Sequence, residues 1–87
     1  MNEQFPLSRK VINVISYRIS IEPDGITRDS SFIKDLKADS LDIAELMMDL
    51  EDAFGIKFPW HADIGGDEAF QTVGNVISYI EKEMAKK

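Results

Sequence analysis

The sequence predicts an all-α domain: a small three- or four-helix bundle with a long loop between the first and second helices. Three observations carry this reading. Three segments repeat apolar residues at helical spacing, none alternates strictly as a strand would, and turn residues separate them. At 87 residues, 44% hydrophobic and 30% charged, the composition is globular and the length allows a single domain, 1–87.

The first helix is expected from about Leu7 to Ser20. Pro6 suits its first turn, where a missing N–H is no loss. Val11, Ile12, Ile15 and Ile19 share one face, which leaves Val14 and Tyr17 off it. A long loop follows. Pro23-Asp24-Gly25 marks a turn, a short helical turn is expected near Ser31–Asp35, and Ile21, Ile26, Phe32, Ile33 and Leu36 are its candidate core anchors.

The second helix is expected from Ser40 to Phe54, with Gly55 at the usual position past its end and Pro59 barring continuation. The stretch "PWHADIGGDEAFQ" has no clear period. Its Gly65-Gly66 pair limits it to a short helix within Gly66–Phe70. The last helix opens on Thr72, a good N-cap. Val73, Val76, Ile77, Ile80 and Met84 form its apolar face, and Lys82, Lys86 and Lys87 lie near its C-terminal end.

Composition narrows the function. There is no cysteine, so no disulfide and no protein thiolate, which fits a reducing compartment. The N-terminus lacks the basic and apolar regions of a secretory signal, and no apolar run approaches the ~20 residues of a membrane span. The expectation is a cytoplasmic monomer with no membrane insertion. Net charge is −6, and Asp39–Phe54 holds six acids and no base, so the remainder has ten of each. A charge excess confined to one helix reads as a docking field for basic partners, and it argues against nucleic acid, which needs a basic face.

That helix carries two apolar stripes. Ile43, Leu46, Met47, Leu50 and Phe54 cluster within about 100° of arc, as a core face does; Leu41, Ala44 and Met48 lie about 135° away. The second stripe is flanked by Asp42, Glu45, Asp49 and Asp52. It reads either as a contact surface with an apolar centre and charged rim, or as residues packed beneath the long loop. Asp39 is a strong N-cap candidate, which puts Ser40 at the first helical position with its hydroxyl toward solvent. No nucleophile elbow or adjacent base activates Ser40. Helix-start N–H groups favour a phosphate attached there, whereas Asp39 and Asp42 oppose an anion and suit a basic, metal-using transferase; a mere capping serine is the other reading.

"ADSLDIAEL" (Ala38–Leu46) resembles the Asp-Ser-Leu signature of acyl carrier proteins, and the likeness continues through "SSFIKDLKADSLDIAELMMDLEDAFGIKFP" to a last helix in "TVGNVISYIEKEM". The resemblance implies a carrier, not an enzyme. Ser40 would bear 4′-phosphopantetheine from coenzyme A, and acyl groups would be held on it as thioesters for fatty-acid or related biosynthetic enzymes. It assigns partner contacts to Asp39, Leu41, Asp42, Ala44, Glu45, Met48, Glu51 and Asp52. It assigns the acyl cavity to Ile43, Leu46, Leu50, Phe54, Val76 and Ile80. Partners would be a phosphopantetheinyl transferase and acyl-processing enzymes with basic docking patches. An aminoacyl or polyketide carrier, and outside the family an unmodified acidic helical adaptor, are the alternatives.

The chain departs from the family pattern at three places. Lys37 stands where glycine is common, Ala44 replaces a branched residue, and the Trp60–Phe70 stretch is longer, leaving housekeeping and specialised roles both open. No metal site is expected: His61 is the single histidine, and Ser20 and Ser31 stand where a calcium loop needs acids. Phe58 and Trp60 read as core residues.

Overall fold

A computed structural model describes residues 7–59, 62–66 and 68–86. The expectations for Pro6, Trp60, His61 and Lys87 lie outside the described residues. Three α-helices build the domain: α1 (Leu7–Ile19), α2 (Ser40–Phe54) and α3 (Val73–Ala85). One-turn 3-10 helices at Pro23–Gly25 and Glu68–Phe70 stand where the sequence predicts a turn and a short helix.

Each helix ends for a local reason. α1 stops one residue early because Ser20 turns left-handed, at φ 60°, and the Ile21 N–H returns to the Ser16 carbonyl at 3.3 Å. Gly55 closes α2 in the left-handed region, as expected. Thr72 caps α3 reciprocally: its hydroxyl accepts from the Asn75 N–H at 3.2 Å, and the Asn75 side chain accepts from the Thr72 N–H at 3.1 Å.

α1 packs on both α2 and α3. Val11 and Ile15 reach the core from α1, Leu46 and Leu50 from α2, and Val76, Ile77 and Ile80 from α3; all seven are fully buried. Burial of each side chain contributes roughly 1.5–3 kcal/mol before conformational entropy is counted. Val14 is half-buried and Tyr17 is 83% exposed, in keeping with their places off the apolar face.

The long loop is strapped to the head of α3. The N–H groups of Phe32, Val73 and Gly74 donate to the carbonyls of Gln71, Ser30 and Arg28 at 3.3, 3.0 and 2.8 Å, around an antiparallel bridge between Ser31 and Thr72. The expected turn forms at Ser31, whose carbonyl accepts from Asp35 and Leu36, both at 3.0 Å. Ile26, Phe32 and Leu36 are buried and Ile21 is half-buried. Ile33 corrects the sequence reading: it is 45% exposed rather than in the core. The turn sends Phe32 and Leu36 inward, and its neighbour Ile33 is left facing out.

Candidate functional site

The head of α2 is built by two carboxylates. Asp39, in extended backbone, accepts from the Asp42 N–H at 2.8 Å; Asp42 in turn accepts from the Asp39 N–H at 3.2 Å. This capping box satisfies two of the N–H groups that a helix start leaves open. Ser40 follows as the first helical residue, exposed to solvent. Just before it, Lys37 sits left-handed at φ 58°, a conformation that favours glycine. The Ala38 N–H is anchored on the Phe32 carbonyl at 2.9 Å, which fixes the approach of the chain.

An open cleft of about 420 Å³ begins at Ser40 and runs between α2 and the 62–66 segment. Ile43, Ala44 and Met47 form the α2 side; Ala62, Asp63, Ile64 and Gly66 form the other, and Ile33 overhangs it. The exposure of Ile33 therefore makes it a wall of this cleft. Gly65 holds the wall close: its φ is 89°, and a Cβ there would lie 2.9 Å from Ile33 Cγ1 and 3.3 Å from Ile43 Cδ1. Only glycine combines that backbone with that approach.

The second stripe of α2 is open to solvent. Leu41 is 66% exposed, Met48 is 63% exposed, and Ala44 is exposed between them, so the reading that packs them beneath the loop is wrong. The loop instead lies against α3.

The acidic rim is not uniform. Arg18, from the last turn of α1, forks onto Asp49 through Nε at 2.6 Å and Nη2 at 3.1 Å, and reaches Glu45 through Nη1 at 3.2 Å. The hydrogen bond to Asp49 holds the guanidinium pKa above its ordinary value, with the charges of Asp49 and Glu45 adding to the effect against partial desolvation. Glu51 is tied back: its carboxylate accepts from the Phe58 N–H at 2.9 Å. Asp52 is exposed, with no ion pair among the described residues.

The structure thus brings Ser40, Ile43 and Ala44 to one cleft, and Leu41 and Met48 to one outer face. Leu46, Leu50, Phe54, Val76 and Ile80 are buried in the core that Ile43 joins, and do not themselves line the cleft. Sequence reasoning missed Arg18 and the wall role of Ile33. Arg18 lies 31 residues before Asp49, and only its position at the polar edge of the first helix hinted at a partner.

The family described as "Phosphopantetheine attachment site" matches residues 9–80. An acyl carrier protein of Lactobacillus johnsonii is 49% identical over 74 residues, covering 83% of this chain and 85% of that protein. An acyl carrier protein of Thermotoga maritima is 41% identical over 75 residues, covering 86% of this chain and 88% of that protein.

Proposed function

The chain belongs to the acyl carrier protein family, and from that premise we propose that Ser40 is the residue bearing its covalent 4′-phosphopantetheine. The protein is a carrier rather than an enzyme, and its partners are acyl-processing enzymes. The thiol that ends the phosphopantetheine arm holds acyl groups as thioesters, and this supplies a function that a chain without cysteine lacks.

The observation that carries the assignment is the exposed Ser40 hydroxyl at the head of α2, at the mouth of an apolar cleft. The surroundings fit the group. The N–H groups of the helix start would favour a phosphate attached at Ser40, and the cleft would offer the adjoining chain a largely apolar bed. On a phosphopantetheinyl transferase, Ser40 Oγ would attack the pantetheine-side phosphorus of the coenzyme A pyrophosphate; the new O–P bond replaces the bond to the second phosphate, and adenosine 3′,5′-bisphosphate leaves. Asp39 and Asp42 each spend one oxygen on a backbone N–H and neither hydrogen-bonds the Ser40 hydroxyl, so removal of its proton is assigned to the transferase.

Leu41, Ala44 and Met48 form the apolar centre of the docking face, and Asp39, Asp42, Glu45, Glu51 and Asp52 its rim. Charge steers the encounter with basic patches, and the apolar strip sets the pose. Acyl chains enter past Ile43, at the lip of the cleft. Leu46, Leu50, Phe54, Val76 and Ile80 then part to shelter longer ones. Among the described residues no helix is long and apolar enough to cross a membrane, and the reading places the protein in the cytoplasm.

The test is intact-mass analysis after incubation with coenzyme A and a broad-specificity transferase. The wild type gains one phosphopantetheine and Ser40→Ala gains none. A wild type that stays unmodified where a known carrier is loaded contradicts the assignment and leaves the acidic adaptor.

A further inference from the structure

Glu45 and Asp49 are one helical turn apart on α2, a spacing at which like charges repel. Arg18 bridges them, with both Asp49 oxygens occupied and one Glu45 oxygen engaged. Glu45 also stands in line with the exposed strip, since Leu41, Glu45, Met48 and Asp52 follow at i, i+4, i+7 and i+11. The cation from α1 therefore reaches the centre of the face assigned to docking.

We propose that Arg18 is an internal competitor for that face: it occupies the acids in the middle of α2 that a partner's arginine or lysine would take. The inference rests on the docking reading above. A partner cation arriving at Asp49 must displace a two-point arginine fork, which loses as many hydrogen bonds as it makes. The rim acids with no ion pair among the described residues are Asp39 and Asp42, flanking Ser40, and Glu51 and Asp52, toward the far end. A partner that lies along α2, a transferase acting on Ser40 included, meets uncompensated acids at both ends of the helix. At the middle it meets two acids, Glu45 and Asp49, of which Arg18 already offsets one charge. Arg18 thus acts as a specificity residue without touching the acyl chain.

The test measures modification of the full chain by a broad-specificity phosphopantetheinyl transferase with coenzyme A, at low and at physiological ionic strength. Arg18→Gln lowers KM about 2- to 5-fold at low salt with kcat unchanged, the range that one exposed ion pair supports. The gain shrinks as salt screens it. Adding Asp49→Asn to Arg18→Gln cancels the gain. Lys82→Gln, which removes an exposed cation from α3, leaves KM unchanged and so separates local uncovering from net charge. Arg18→Lys keeps the charge, loses the fork and falls between; it also serves if the glutamine variant does not fold. Asp42→Asn, which keeps a capping acceptor, raises KM. An unchanged or raised KM for Arg18→Gln, beside a raised KM for Asp42→Asn, overturns the inference and leaves the docking reading standing. An unchanged KM for Asp42→Asn sinks the docking reading and the inference with it.

Discussion

Asp39 and Asp42 each accept the other's backbone N–H at the head of α2. The two acids flanking Ser40 are therefore structural before they are recognised by anything. Asp39→Ala loses the cap and lowers stability by about 1 kcal/mol, read as a reduced urea midpoint with unchanged slope. Asp39→Asn keeps an acceptor and stays close to wild type. Equal losses in the two variants would show that charge, not the cap, holds the helix start.

Lys37 occupies a left-handed position at φ 58° just ahead of that cap. A non-glycine residue there costs about 1–3 kcal/mol, while glycine adds about 0.5–1 kcal/mol of unfolded-state freedom. Lys37→Gly is expected to stabilise the protein by about 1 kcal/mol in equilibrium unfolding. A destabilised variant would mean that the lysine side chain makes compensating contacts.

Gly65 tests the cleft wall. A methyl there meets Ile33 Cγ1 at 2.9 Å on a backbone with φ 89°. Gly65→Ala costs about 1–3 kcal/mol and pushes Ile33 outward, which perturbs the Ile33 and Ile43 methyl resonances in NMR spectra. Wild-type stability with undisturbed methyl signals would refute the close approach.

The two stripes of α2 separate cleanly by truncation. Leu46 is fully buried, so Leu46→Ala costs about 2–5 kcal/mol, a large share of the roughly 5–15 kcal/mol typical of a domain. Leu41 is 66% exposed, so Leu41→Ala changes stability by less than about 0.5 kcal/mol while slowing transfer of the arm. A Leu41→Ala variant that unfolds readily would place that stripe inside the protein after all.

The Tyr79 hydroxyl donates to the Lys57 carbonyl at 2.8 Å, and its ring stacks on Phe58 with centroids 5.2 Å apart. Burial raises its pKa, and the Glu83 charge raises it further. A phenol whose folded pKa is raised contributes stability that is complete below the unfolded value near 10 and lost as pH rises through the folded value. Wild-type stability is therefore expected to fall at alkaline pH, and Tyr79→Phe to fall less steeply. Parallel pH profiles would remove Tyr79 as the cause.

The limits of α2 were legible because their causes are local: a capping acid at Asp39, a glycine at position 55, and helical spacing between them. The second stripe was legible because α2 holds two apolar stripes at helical spacing; its outward direction was not, because it depends on the loop lying against α3. Ile33 was not, because its side of the turn depends on hydrogen bonds from Asp35 and Leu36 back to Ser31, which no apolar pattern reports. Arg18 was not, because ion pairs between helices leave no periodic trace in the chain. The cleft's second wall lies in 62–66, a stretch with no period, and it closes through a glycine that the sequence marks only as a helix breaker.

Cleavage after Lys37 and Lys57 releases a peptide, 38–57, in which Ser40 is the sole hydroxyl-bearing residue. Peptide mass mapping of transferase-treated protein therefore locates the arm directly. The account predicts that the whole mass gain resides on this peptide and fragments to Ser40. A gain carried by any other peptide would contradict it.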